Sequence, residues 1–306
     1  MHMGSNDNVS ADGAGARRVA VLYNPAAGQW RRRRLEATIK ALKELGCNVT
    51  LRETTRPGDA EAMASRLSLA DCDVVGAAGG DGTINEVANG LMAARRPAPP
   101  LAIIPLGTAN VLAQEIGLRG KPDDVARTIA RGSPIAIHPG QVNGRYFLMM
   151  VGAGFDAHVV ANVDLALKRR AGKLAYVAGT LSQALRYGFP PCRVVIDGRE
   201  FRTRSAVVCN GRHYGGPFIA APKADLAAPG FEICLFERGG WLQVIRYGFA
   251  LVTGRLPTLP GLSIESGRSI RIDGEAGLPV QGDGDIVTRL PVDIVVSERQ
   301  LELIVP

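Results

Sequence analysis

Along the first 130 residues, short apolar runs alternate with longer stretches of helical spacing. "RRVAVLYNP" (17–25) reads as a buried strand that stops at Asn24-Pro25. "RRLEATIKALKELG" (33–46) repeats its apolar positions every three and four residues and ends on Gly46. The alternation continues with a strand in "CNVTLRETT" (47–55), a helix in "GDAEAMASRLSLA" (58–70), and a strand running into glycine in "CDVVGAAGG" (72–80). "INEVANGLMAA" (84–94) is helical, "APPLAIIPLG" (98–107) extended, and "TANVLAQEIGL" (108–118) and "PDDVARTIARG" (122–132) helical again. Strands alternating with helices predict an α/β domain whose parallel sheet is covered on both faces.

The pattern changes near Gly132. "PIAIHPGQVNGRYFLMMVGAG" (134–154) reads as strand, turn and strand, with Asn143-Gly144 as a hairpin turn. A helical stretch follows, roughly Asp156 to Leu185. Short strands then come in "CRVVIDG" (192–198), "EFRTRSAVVCNG" (200–211), "FEICLFE" (231–237), "SIRIDG" (269–274), "VDIVV" (292–296) and "LELIVP" (301–306), split by glycine and proline turns. This predicts an antiparallel β domain. We expect two domains, 17–135 and 136–298.

Composition narrows the class. The chain has 306 residues, 46 % hydrophobic and 21 % charged, which is ample for two packed cores. No apolar run reaches the roughly 18 residues of a membrane-spanning helix. Residues 1–16 have no apolar signal core and read as a tag with a disordered tail. The five cysteines form no CxxC pair, which suits reduced thiols in the cytoplasm. A net charge of +7 favours a partner carrying phosphate, whether nucleotide, nucleic acid or anionic membrane. With aromatics at only 5 % and no basic stretch interleaved with them, nucleic acid is not expected. "WRRRR" (30–34) is either a solvated start to a helix or a contact for phosphates or lipid headgroups.

Chemistry concentrates in "GAAGGDGTINEVANGL" (76–91), where a strand should hand over to a helix with almost no side-chain bulk. Backbone N–H groups of such a loop can cradle phosphate oxygens at the positive end of the next helix. Asp81 then sits where it could meet a phosphate-bound metal, and Thr83 where it could bond a phosphate or cap the helix. A tight turn needing positive φ is the competing explanation. The Walker A triplet Gly-Lys-Ser/Thr is absent. Gly152-x-Gly154-x-x-Ala157 imitates a dinucleotide fingerprint, but residues 165–196 contain no acidic partner for a ribose.

"GGDGTINEVANGL" (79–91) closely resembles the signature of the diacylglycerol kinase catalytic family, which includes bacterial lipid kinases and sphingosine and ceramide kinases. Further landmarks follow the family's order: "NPAAG" (24–28), "PLGTAN" (105–110), "GAGFDA" (152–157), "VVCNGRHYGGPFIAAPKA" (207–224) and a late carboxylate motif. The resemblance spans about residues 17–306; GGDGT alone is shared with NAD kinases. It implies an N-terminal α/β nucleotide domain of the NAD-kinase and lipid-kinase type. It also implies a C-terminal β-sandwich for the lipid, with the last strand, 299–306, free to return to the first domain. The implied reaction carries the γ-phosphate of ATP, with its Mg2+, to a lipid hydroxyl. Contact with a membrane surface at the inner membrane is expected, and a homodimer is left open.

By the same resemblance, Asn24, Gly79, Gly80, Asp81, Gly82, Thr83, Ile84 and Asn85 form the phosphate and metal end of the nucleotide site, with Thr54 and Thr108 as nucleotide-binding threonines. Asn24 could otherwise simply end a strand, and Thr108 cap a helix. The family's late Asp-Gly-Glu carries the base that activates the lipid hydroxyl. Two places match: "IDGE" (Asp273 to Glu275) and "QGDGD" (Asp283 to Asp285). The layout around the second, an apolar strand before and a Pro-initiated strand after, selects Asp283 as the base and Asp285 as a supporting carboxylate, leaving Asp273 as a turn residue. Three positions where the family often carries Asp hold Val111, His138 and Ala228. Their joint loss predicts no structural Mg2+ at residues 226–231 and a satisfied structural role for His138. Segment 177–191 either packs in the core, lines a lipid pocket or dips into a membrane. The alternatives to a lipid kinase are an NAD-kinase-like small-molecule kinase and a catalytically impaired nucleotide-binding protein.

Overall fold

A computed structural model describes residues 16–25, 29–94, 97–162 and 179–306. The predicted tail falls outside these residues save for Ala16, as do most of "NPAAG" and much of the helical stretch predicted for 156–185.

The first lobe is built from β1 (Arg18–Tyr23), α1 (Gln29–Glu44), β2 (Asn48–Glu53), α2 (Asp59–Ala64), β3 (Val74–Gly79), α3 (Asp81–Ala93), β4 (Leu101–Pro105), α4 (Val111–Glu115), α5 (Pro122–Arg131) and β5 (Ser133–Ile137). Strands β1 to β4 are parallel, in the order β2-β1-β3-β4. Every residue of β3 and β4 is buried. That is why their sequences are apolar without alternation: helices cover both faces. The helices pack in pairs, α1 with α5 and α2 with α3.

The second lobe carries β6 (Gly140–Val142), β7 (Arg145–Phe147), β8 (Met150–Ala153), α6 (Phe155–Asn162), β9 (Cys192–Ile196), β10 (Arg199–Thr203), β11 (Ser205–Cys209), β12 (His213–Tyr214), β13 (Phe218–Ile219), β14 (Phe231–Phe236), α7 (Trp241–Val252), β15 (Leu262–Gly267), β16 (Ser269–Asp273), β17 (Pro279–Gly282), β18 (Asp285–Arg289) and β19 (Val292–Val296). Two six-stranded antiparallel sheets, β10-β9-β16-β19-β6-β7 and β15-β14-β11-β8-β17-β18, form a sandwich. Alternate residues of β9, β16 and β19 point inward, and Ile196, Ile272 and Ile294 meet Val151, Val208 and Ile233 of the other sheet in one buried cluster. No helix among the described residues is long and apolar enough to cross a membrane.

The last strand, β20 (Leu301–Val305), leaves the sandwich and enters the first sheet between β4 and β5, parallel to β4 and antiparallel to β5. Both strands that border the passage between lobes thus belong to the N-terminal sheet.

Three local expectations are corrected. Asp273 is not a turn residue: it closes β16 and pairs with Arg193 and Arg271 at the surface. "EFRTRSAVVC" is two strands, β10 and β11, not one. Helix α7 falls in a stretch where only strands were expected. As the missing acidic partner implied, the dinucleotide-like glycines do not belong to a βαβ unit: Gly152 lies within β8 and Gly154 just after it, and β8 runs between antiparallel neighbours β11 and β17.

Candidate active site at the junction of the lobes

The glycine-rich loop owes its lack of bulk to its neighbours. Strand β3 is small to the end, and the chain turns at Gly80 into α3. The loop after β4 lies directly against it: a Cβ on Gly107 would sit 2.6 Å from the Gly80 Cα. Two backbones can approach this closely only without side chains. Asn110, at the left-handed φ of 47°, holds the second loop by accepting the Gly107 N–H and donating to the Gly107 carbonyl. Asp81, at the first turn of α3, accepts the N–H groups of Asn110 (3.1 Å) and Val111 (2.7 Å). The position where the family often has Asp therefore contributes here through its amide. In the first turn of α3, the amides of Asp81, Gly82 and Thr83 have no partner within the helix, as at any helix start.

The second lobe delivers the carboxylates. Asp283 and Gly284 form the two-residue turn between β17 and β18, at φ of 50° and 94°. Asp-Gly is the composition such a hairpin turn demands. The Asp283 carboxylate is fully engaged. Oδ1 accepts the N–H groups of Met149 (2.9 Å) and Met150 (3.0 Å), and Oδ2 those of Leu148 (2.7 Å) and the Asn85 amide (2.8 Å). Asn85 lies on α3, so this last bond joins the lobes. Asp285 accepts no hydrogen bond among the described residues, and its Oδ2 would lie 3.0 Å from a Cβ placed on Gly82. It hangs over the start of α3.

Burial pushes the carboxyls of Asp81, Asp283 and Asp285 above the ordinary value. At Asp283 the amides of Leu148, Met150 and Met149 and the Asn85 side chain oppose this, and at Asp81 the nearby Asp283 charge adds to it. Asp285 is desolvated by the walls around it although its surface is open to solvent; Arg145 partly offsets the effect.

Of the other predicted site residues, Asn24 follows β1, and its side chain lies 3.5 Å from the Thr83 hydroxyl. Gly79, Gly80, Asp81, Gly82 and Thr83 are contiguous at the loop, and Thr108 stands exposed in the neighbouring loop, 3.4 Å from Arg31. Thr54, buried just after β2, binds the Tyr23 carbonyl through its amide. Ile84 does not face the loop: its side chain is in the core and its amide is spent on the Gly80 carbonyl. Asn85 serves as a bridge, binding Asp283 and the Tyr146 carbonyl.

Sequence reading missed several groups. Asn89, one turn after Asn85, exchanges two hydrogen bonds with the backbone of Tyr146; the i, i+4 spacing of two asparagines in "NEVAN" was the available signal. Glu115, buried at the end of α4, accepts bonds from Arg212 (3.0 Å) and His213 (2.6 Å) across the junction. Behind the carboxylate turn, Asp156 takes bonds from the Tyr214 hydroxyl and from Gln281 (2.7 Å), and Gln281 in turn accepts the Gly284 N–H (2.9 Å). His138 is only half satisfied: Nε2 lies 2.9 Å from Gln300, while Nδ1 is buried with no partner among the described residues. Of segment 177–191, the first two residues lie outside those described; Phe189 stacks on Phe155 at the head of α6, and Tyr187 packs tilted against Phe155 and edge-on to Phe189.

Two family models match in tandem. The diacylglycerol kinase catalytic domain covers residues 18–142, and the YegS C-terminal NAD kinase beta sandwich-like domain covers residues 149–305. The chain belongs to the diacylglycerol kinase catalytic family. By class it is a lipid kinase, a phosphotransferase with an alcohol acceptor. Curated relatives include a diacylglycerol kinase of Bacillus subtilis, 27 % identical over 294 residues, covering 95 % of this chain and 97 % of the relative. A Staphylococcus aureus diacylglycerol kinase is 27 % identical over 295 residues, covering 95 % and 93 %. A solved diacylglycerol kinase structure from Bacillus anthracis superposes with a TM-score of 0.77 at 23 % identity, covering 96 % and 99 % of the two chains. At that identity the superposition speaks for the fold.

Proposed function

We propose that this kinase transfers the γ-phosphate of ATP to the hydroxyl of a diacylglycerol-like lipid at the junction of its lobes. One observation carries the proposal: the start of α3 with Asp81 on one lobe faces the Asp283-Gly284-Asp285 turn of the other. In this reading the loop amides and Thr83 hold the nucleotide's phosphates, with Asn24, Thr54 and Thr108 around them. Oxygen donors of this kind suit Mg2+, which when bound with the nucleotide neutralises phosphate charge; Asp81 is the ligand the geometry offers. A carboxylate takes the proton of the lipid hydroxyl as the new oxygen–phosphorus bond forms and the bond to the ADP oxygen breaks.

Family resemblance assigns that proton to Asp283. A specific observation favours a second assignment. All four acceptor positions of Asp283 are filled, whereas Asp285 is unencumbered and hangs over Gly82. In this version Asp283 fixes the turn and Asp285 receives the proton. Both versions share one test of function. Labelled ATP and magnesium are supplied with diacylglycerol, a sphingoid base or ceramide in mixed micelles, and with NAD in solution. Label in phosphatidic acid is expected. Label only in NADP contradicts a lipid acceptor, and ATP binding without transfer to any acceptor contradicts catalysis.

A further inference from the structure

Helix α7 faces solvent with the wrong side. Its packed side carries Ala250, buried, and Tyr247, whose ring meets Phe236 and whose hydroxyl binds the Gly261 carbonyl. The opposite side carries Trp241, Leu242, Ile245, Phe249 and Val252. Their exposures run from 44 % at Trp241 to 67 % at Phe249. At 3.6 residues per turn these five positions fall within an arc of about 100°, so they form one stripe rather than scattered apolar residues. A soluble surface helix has its polar side there.

The charge around the stripe says what covers it. From Arg238 to Ile264 the chain contains Arg238, Arg246 and Arg255 and no Asp or Glu, within a molecule of net charge +7. An apolar stripe with a terminal tryptophan and arginines beside it has the make-up of a helix lying in the interface of an anionic bilayer. Its position fits a kinase whose acceptor resides in such a bilayer. Helix α7 packs on β13, the exposed Ile219 lies on that strand, and the partner strand β12 packs on α4. Tyr214 of β12 reaches Asp156, and through Gln281 the connection arrives at the Gly284 amide of the carboxylate turn. The stripe is thus one hairpin away from the junction.

We propose that the outward face of α7 is the surface on which this kinase docks to an anionic phospholipid bilayer. The choice of a bilayer rests on the lipid-kinase class of the chain; the test does not depend on activity. Only Trp30 and Trp241 are tryptophans, so Trp30→Phe leaves Trp241 as the sole reporter. With phosphatidylglycerol-containing vesicles, Trp241 fluorescence should shift to the blue and the protein should sediment with the vesicles, less so at high salt. Pure phosphatidylcholine vesicles should bind it weakly. The double variant Leu242→Gln/Phe249→Gln should lose at least roughly tenfold in vesicle affinity. It should melt with the parent, so that lost vesicle binding is not lost folding. Unchanged vesicle binding by the double variant overturns the proposal. So does a vesicle-free dimer of the parent that the double variant abolishes, because a second copy would then be the occupant.

Discussion

At the scale of single residues, the two aspartates of the carboxylate turn differ in what they are tied to. Asp283 receives three backbone amides and Asn85, so Asp283→Asn must point an NH2 group at an N–H donor. We expect this variant to lose transfer and also about 1–3 kcal/mol of stability. Asp285→Asn breaks no hydrogen bond among the described residues. It should melt with the parent yet transfer label about 100-fold more slowly or worse if it receives the proton. Rates and thermal melts on both variants separate the two assignments; an Asp285→Asn enzyme of normal rate returns the role to Asp283. The raised carboxyls also predict the pH dependence of stability. Asp81, Asp156 and Asp283 all have folded values above the unfolded one, chiefly through burial. The folded state therefore holds protons that the unfolded state has released, a contribution lost as the pH rises through the folded values and growing as the pH falls toward the unfolded one, about 4. Carboxyls held low by hydrogen bonds, Glu115 among them, reverse the trend below roughly 4.5. A melting temperature that falls steadily from neutral pH down to the onset of that reversal contradicts this balance.

At the scale of elements, helix α3 is fixed between α2 and the sandwich. A Cβ on Gly90 would lie 2.3 Å from the Glu61 carbonyl and 2.7 Å from Ala64 Cβ. Gly90→Ala gains about 1 kcal/mol of helix propensity, but the clash with a rigid neighbour should outweigh it. We expect a net loss of about 1–3 kcal/mol in denaturant unfolding; a stabilised variant would show that α2 shifts freely. The elements of the first lobe were legible because buried parallel strands are apolar throughout and their helices keep a 3.6-residue period. The Asn143-Gly144 and Asp283-Gly284 hairpins announce themselves by composition, although Asp283 was read for its chemistry and not as a turn. Helix α7 was not legible: its apolar residues lie on both its packed and its outward sides, so no polar face marked it. The loop residues were found by spacing and resemblance. What spacing could not give was their engagement: Ile84 turned to the core, Asn85 across the junction, and the Glu115 and Asp156 networks made by residues 58 to 125 positions apart.

At the scale of the whole molecule, the lobes are joined by few polar contacts of high quality. Asn89 pairs with the Tyr146 backbone, Asn85 with Asp283, Arg145 with Glu61 at 3.1 Å, and Glu115 with Arg212 and His213. Burial alone would raise the Glu115 carboxyl, but the bonds from His213 and Arg212 hold it below the ordinary value. Its contribution is present above about pH 4.5 and lost as the pH falls through the folded value. Glu115→Ala should cost about 1–3 kcal/mol at neutral pH and open the junction. Limited proteolysis should then cut between the lobes sooner than in the parent, and an unchanged digestion pattern would place the lobes' cohesion elsewhere. The proposed phosphoryl transfer to a lipid at this junction is decided by single-turnover transfer of label from ATP to diacylglycerol in mixed micelles, run with the parent and with Asp81→Asn, Asp283→Asn and Asp273→Asn. Labelled phosphatidic acid is expected from the parent and from Asp273→Asn, and little or none from the other two while ATP still binds. Transfer that survives Asp283→Asn and Asp81→Asn but disappears with Asp273→Asn would contradict it.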